Sequence, residues 1–138
     1  MEKVKLQAQY GLYINGQWRN ASDGATYNAE SPADGSHLAI CAQGTREDVE
    51  AASAAAWEAF KTWKKTTPAQ RAALLNKIAD IIDANKEHLA MVESMDNGKP
   101  IRETMNVDIP MAAEHFRYFA GCILAEEGQA SVLNEQFL

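Results

Sequence analysis

No Gly-x-Gly occurs anywhere in the 138 residues, so neither a dinucleotide-binding fingerprint nor a phosphate-cradling loop can be drawn. No basic run is present either. Lys and Arg number 13 against 19 Asp and Glu, a formal net charge of −6, which argues against a nucleic-acid partner because nothing neutralises phosphates. No apolar run approaches the roughly 20 residues of a membrane span. The opening Met1-Glu2-Lys3-Val4-Lys5-Leu6-Gln7 lacks the apolar stretch of a signal peptide. Cysteine is scarce: Cys41 and Cys122 alone, expected to remain thiols in a reducing compartment. Asn20-Ala21-Ser22 fits a glycosylation acceptor, but without a secretory signal it reads as coincidence. The chain is expected to be cytoplasmic. No internal repeat and no Pro-, Gly- or Ser-rich linker divides it. At 46% hydrophobic residues it has the composition of a globular domain, long enough for one core and too short for two.

Leu12-Tyr13-Ile14-Asn15-Gly16-Gln17-Trp18 is a hairpin signal, since Asn-Gly suits a two-residue turn with positive φ at both central positions. Ala25 to Glu30 reads as extended. Pro32-Ala33-Asp34-Gly35 reads as a turn in which Pro presets φ and Asp bonds its own backbone. His37 to Gln43 alternates, placing Leu38, Ile40 and Ala42 on one face and Cys41 outward on the other. Thr45 opens a first helix with Asp48 as its capping-box partner. Val49, Ala52, Ala56, Phe60 and Trp63 are expected on its core face, and the alanine-rich stretch from Ala51 to Ala56 permits close approach to a neighbour. Thr67-Pro68-Ala69-Gln70 starts a second helix whose apolar face is Leu75, Ile78, Ala79 and Ile82. Asn85 is read as the cap of a third, with Leu89, Val92 and Met95 inward and Asn97-Gly98 as its stop. Asp108 is read as the N-cap of a fourth, with Ala112, Phe116, Phe119 and Ile123 on one face. Residues 131–138 read as the beginning of a strand, and an unpaired strand there suggests a truncated chain. The expectation is thus a single incomplete α+β domain, with a hairpin and short strands over 1–43 and about four helices over 45–126.

Several side chains invite chemistry. Cys122 sits beside Gly121, Ile123, Leu124 and Ala125, which offer neither positive charge nor a base to activate a nucleophile, so it reads as a buried structural thiol. Cys41 reads similarly. Glu93 and Asp96 are three apart and share a helix face, most simply a solvated end. His37, His88 and His115 have no metal-type spacing. Asp96 lies where the helix dipole disfavours a negative charge. Two answers to that charge are open: pairing with Lys99 or Arg102, or a bound cation.

Asp96-Asn97-Gly98-Lys99-Pro100-Ile101-Arg102-Glu103-Thr104, then Asp108, then Phe116-Arg117-Tyr118-Phe119-Ala120-Gly121 resemble the N-terminal part of the NAD(P)-dependent aldehyde dehydrogenases. The likeness is nearest to bacterial enzymes for short aliphatic aldehydes. The Ile-Asn-Gly-Gln-Trp hairpin and the Ala-x-x-Ala-Phe-x-x-Trp, Pro-x-x-Arg and Ile-Ala-Asp series extend it over nearly the whole chain. Ser31 departs from it, standing where Asn is usual, but Pro32 and Gly35 should keep the turn. The resemblance implies part of an α/β fold whose helices pack on a cofactor domain. It implies a parent enzyme, homo-oligomeric at full length, that oxidises an aldehyde to a carboxylic acid. In that chemistry a cysteine thiolate attacks, a hydride passes to NAD or NADP, and a Glu-activated water releases the acid. Nucleophile and base lie downstream of the matching stretch, so the implied catalytic and cofactor-binding residues here are none, no NAD or NADP is expected to bind this chain alone, and the chain is expected to be inactive in isolation. The resemblance also implies a partial monovalent-cation site at the Ala29 and Glu30 carbonyls and the Asp96 carboxylate, its third contributor downstream. The competing reading is an independent helical interaction module without catalysis.

Overall fold

A computed structural model describes residues 4–128. The expected strand over 131–138 lies outside the described residues. Five short strands come first: β1 (Gln9–Tyr10), β2 (Leu12–Ile14), β3 (Gln17–Arg19), β4 (Thr26–Glu30) and β5 (His37–Ala42). Helices α1 (Arg46–Trp63), α2 (Pro68–Ala84) and α3 (Lys86–Asn97) follow. One further helical run is made of α4 (Ile101–Glu103), a π turn (Thr104–Asp108) and α5 (Ile109–Leu124). This is the α+β arrangement expected, with four helical segments when the last run is taken as one.

β2 and β3 form the hairpin, with Tyr13 opposite Trp18. Asn15 at φ 52° and Gly16 at φ 76° make its turn, the left-handed pair that Asn-Gly supplies at little cost. Tyr13 and Trp18 rings pack 5.1 Å apart across the strands. The second sheet has the order β1-β5-β4. β4 runs antiparallel to β5, and β1 pairs parallel to it through Gln9 and Tyr10. β1 is too short to leave a periodic signal and has no counterpart in the sequence reading. On β5 Ala39 is buried, Leu38, Cys41 and Ala42 are half-buried and Ile40 is exposed, so Cys41 does not face outward as expected. The phase of a strand's alternation depends on which side the rest of the molecule lies.

Thr45 caps α1 and Thr67 caps α2, each with its reciprocal capping box. Asn85 stands at the N-cap position of α3 as expected, but its side chain makes no cap bond there. Its side chain instead donates to the Ile81 carbonyl at 2.8 Å, closing α2. Asp108 does not act as an N-cap. Its backbone is right-handed helical and its side chain makes no cap bond; it lies within a run that had already restarted at Ile101. The π turn answers Pro110, which has no N–H to give and whose ring crowds the preceding turn. Thr104, fully buried, anchors that turn by donating to the Ala90 carbonyl of α3 at 2.9 Å.

α2 packs along α5, and α3 rests on the π turn. Every buried hydrophobic residue described is an alanine: Ala21, Ala39, Ala72, Ala79, Ala90, Ala113 and Ala120. Small side chains let the helices approach closely, but each brings little apolar area out of water. The large apolar residues stay at least partly open. Leu75, Ile78, Phe116 and Ile123 are half-buried. Phe119, expected inward, is 55% exposed. Nor does the expected core face of α1 have a core to meet: Val49, Phe60 and Trp63 are all exposed. The accessible surface is 10527 Å², against about 7100 Å² for a compact monomer of this mass. No helix among the described residues is long and apolar enough to cross a membrane.

Candidate functional site

The end of α3 meets the β4–β5 turn where Gly98 lies against Pro32. β4 carries a bulge at Ala29/Glu30, which breaks the ladder there and releases backbone groups from strand pairing. The chain then turns through Ser31–Ser36. Gly35 donates to the Ser31 carbonyl at 2.8 Å, and Asp34 accepts from the Ser36 amide at 3.0 Å. The turn survives the Ser31 departure as expected, with Gly35 at φ 70°. α3 ends on Gly98 at φ 77°. A Cβ there would lie 3.0 Å from Pro32 Cγ, so the glycine serves both the left-handed stop and the close approach of α3 to the turn.

The loop after Gly98 is held from within. Ser94 Oγ donates to the Lys99 carbonyl at 2.6 Å and the Lys99 amide donates to Asn97 Oδ1 at 2.8 Å. Lys99 Nζ reaches Asp108 at 2.7 Å and Glu93 at 4.0 Å. The Asp108 hydrogen bond is the largest cause holding the Lys99 ammonium above its ordinary pKa. Arg102 pairs with Glu103 at 2.8 Å. Neither cation is therefore spent on Asp96, and the simple ion-pair reading of that carboxylate is corrected. Lys99 spans nine residues to tie the turn to the π segment, a pairing that needs Asp108 inside a helix rather than at its start.

Asp96 makes itself felt on Tyr27. The Tyr27 phenol is held above its usual 10.0, first by Cys41 opposite it, then by burial and by the Asp96 charge. Tyr27 and Cys41 are register partners in the β4–β5 pair. Tyr27 was absent from the sequence reading, and only the strand register could have exposed it.

The other candidates do not assemble. Both cysteines are free, Cys41 half-buried and Cys122 exposed. The burial expected of Cys122 is corrected, because it faces away from the Ala113–Ala120 side of α5 that meets α2. Among the described residues no group of three His, Cys, Asp or Glu, His37, His88 and His115 included, could hold a metal ion. The tightest polar cluster lies elsewhere. Asp48, 2% exposed, accepts from Arg19 at 3.1 Å, from the Ser22 amide at 3.0 Å, and from the Thr45 amide and hydroxyl, each at 3.0 Å. It locks the hairpin and the following loop to the start of α1.

The profile of the aldehyde dehydrogenase family matches residues 18–136. A long-chain-aldehyde dehydrogenase of an Acinetobacter species is 47% identical over 133 residues, covering 96% of this chain and 26% of the relative. An acetaldehyde dehydrogenase of Pseudomonas aeruginosa is 45% identical, with 96% and 26% covered. A crystal structure of PnpE in complex with nicotinamide adenine dinucleotide superposes with a TM-score of 0.88 at 39% identity, covering 92% of this chain and 26% of that one. An NAD⁺ complex of a Bacillus cereus aldehyde dehydrogenase gives 0.87 at 36% identity, with 92% and 26% covered. The chain spans about a quarter of the length of the relatives it matches. In sequence over most of its length and in the course of its backbone, it belongs to the aldehyde dehydrogenase family.

Proposed function

We propose that this chain is the scaffolding N-terminal portion of a cytoplasmic, homo-oligomeric enzyme that oxidises an aldehyde to a carboxylic acid with NAD or NADP, and that it is silent alone. The carrying observation is the family match over residues 18–136, which names the chemistry. Its complement is local. Among the described residues neither Cys41 nor Cys122 has a basic group bonded to it, and the sequence holds no Gly-x-Gly. A thiol without a base or a positive neighbour remains a weak nucleophile. Absorbance at 340 nm, followed with micromolar chain, acetaldehyde and either cofactor, is expected to stay flat. Any turnover by the chain overturns the silent-scaffold reading. Turnover surviving in a Cys41→Ala, Cys122→Ala double variant would also remove cysteine from the chemistry.

The same reading assigns Asp96, with the Ala29 and Glu30 carbonyls, to part of a monovalent-cation site. Three features support it. The ladder is broken at Ala29/Glu30, Asp96 acts electrostatically on Tyr27 two residues before Ala29, and Lys99 and Arg102 are engaged elsewhere. Hard cations favour such oxygen donors. Sodium at ten times its dissociation constant is expected to raise stability by about 1.4 kcal/mol, read as a rise in melting temperature over an equal concentration of choline chloride. Asp96→Asn should abolish the difference. An equal rise in that variant would refute the assignment.

The module reading keeps one specific support, the open face of α1.

A further inference from the structure

Asn-Gly occurs twice in the 138 residues, at Asn15-Gly16 and at Asn97-Gly98. In this dipeptide the glycine nitrogen can attack the preceding carboxamide carbon, because no side chain shields the nitrogen or stiffens the backbone. The other asparagines precede alanine, lysine, valine or glutamate, whose side chains hinder that approach. The sequence therefore offers two like sites, and the fold makes them different.

At Asn97 the groups the reaction needs are engaged. Its Nδ2 donates to Glu93 Oε1 at 3.3 Å, and its Oδ1 accepts from the Lys99 amide at 2.8 Å. The Gly98 amide donates to the Ser94 carbonyl at 3.1 Å. A Cβ on Gly98 would lie 3.0 Å from Pro32 Cγ, so that backbone is packed as well as bonded. Asn15 is the opposite case. It is exposed at the tip of the β2–β3 hairpin. Among the described residues no side-chain hydrogen bond uses its carboxamide, and no turn hydrogen bond uses the Gly16 amide. Nothing lies within 4 Å of where a Gly16 Cβ would stand. Asn15 and Gly16 edge an open hollow of about 340 Å³ shared with Ala52, Ala55 and Ala59 of α1. That space lets the carboxamide turn and admits water.

We propose that Asn15 is a spontaneous modification site, that the fold protects Asn97 from the same reaction, and that the isoaspartyl product opens the hairpin. The Gly16 nitrogen loses its proton to solvent hydroxide and bonds to Asn15 Cγ. The Cγ–Nδ2 bond breaks, and ammonia leaves with a proton drawn from water. A succinimide ring remains. Water then adds to one of its two carbonyls and breaks that carbon's bond to the ring nitrogen. Opening at the main-chain carbonyl leaves isoaspartate, with the chain running through Cγ; opening at Cγ leaves aspartate. Water replaces ammonia overall, and nothing is oxidised or reduced. Aspartate suits this left-handed turn as asparagine does. Isoaspartate adds a methylene to the backbone, and the pairing of Tyr13 with Trp18 depends on the length of the turn. None of this depends on the enzyme reading.

The 138-residue chain is aged in warm, mildly alkaline buffer, native and in denaturant, and followed by peptide mass spectrometry. In the native chain Asn15 is expected to convert at least about tenfold faster than Asn97, the factor that ~1.4 kcal/mol of local opening supplies. In denaturant the two rates should come together. The isoaspartyl fraction, separated by ion exchange, should lose the near-ultraviolet circular dichroism of the Tyr13–Trp18 pair, whereas an Asn15→Asp variant should keep it. Equal native rates, faster conversion at Asn97, or a difference that survives in denaturant overturns the proposal. So does an Asn15 that stays intact in the native chain while the denatured chain converts, or an isoaspartyl fraction that keeps the parent's signal.

Discussion

Asp48→Asn lowers the melting temperature of this chain by roughly 5–10 °C and flattens its acid unfolding. The first part follows from acceptor capacity. An ionised carboxylate serves the Thr45 and Ser22 amides, the Thr45 hydroxyl and the Arg19 guanidinium at once. An amide offers one oxygen and brings two donors of its own. Buried donors left without acceptors are costly, and a domain of this size answers such losses with several degrees of melting temperature. The second part follows from proton linkage. The Thr45 and Ser22 amides are the largest causes that hold the Asp48 carboxyl down to about 2, against 3.8 when free; the Thr45 hydroxyl and Arg19 add to them, and burial opposes. A carboxyl with a depressed folded pKa contributes stability that is full above its unfolded pKa. That contribution is lost as pH falls from about 3.8 through about 2. Melting curves of the parent should therefore drop steeply across that window, and those of Asp48→Asn should drop less. Equal slopes and equal melting temperatures would show that the cluster does not hold the hairpin to α1.

What the sequence made legible is what short-range rules govern. Asn15-Gly16 specified its turn by backbone conformation alone, Thr45 with Asp48 and Thr67 with Gln70 specified two helix starts, and Gly98 specified a stop. Each involves residues within three or four positions of one another. The misreadings concern partners far apart in sequence. Asp48 was legible as the cap of Thr45 but not as the acceptor for Arg19 and Ser22, which arrive from the hairpin. Asp108 looked like a cap because nothing local shows that Lys99 reaches it from the preceding turn, or that Pro110 is absorbed by a π turn instead of a new start. Tyr27 became relevant only once the β4–β5 register placed it opposite Cys41. The faces of β5, α1 and Cys122 failed for a different reason. Periodicity assigns residues to a side, and only the surroundings decide which side is dry. On α1 the apolar side remains open among the described residues.

For function, the resemblance carried what periodicity could not. The Asp96–Thr104 stretch reads by pattern as a helix, a stop and a second helix, an arrangement compatible with many activities. Its residue identities pointed to aldehyde dehydrogenases, and the family match agrees. The helix end that carries Asp96 was legible in the sequence. Its chemistry was not, because the competing answer depended on where Lys99 and Arg102 point.

Residues 18–136 of this chain, exchanged for the corresponding stretch of the Acinetobacter long-chain-aldehyde dehydrogenase, are expected to give an enzyme that oxidises its long-chain aldehyde within about tenfold of the parent rate. The chain alone should give nothing measurable, a gap of at least about 10⁶ given the accelerations enzymes supply. The argument rests on what this stretch contributes. Its polar clusters fix a hairpin, a turn and helix ends, and no basic group is bonded to either described thiol. This chain is 47% identical to that host over 133 residues, so the exchange is expected to change scaffold and leave the host's reacting groups in place. The exchange is judged by cofactor reduction at 340 nm, with sedimentation and cofactor binding measured on the same sample. Turnover by the chimera, with none by the isolated chain, is the predicted result. A chimera that assembles and binds NAD but does not turn over would contradict the account, because the exchanged stretch would then hold a group the reaction requires and this chain lacks.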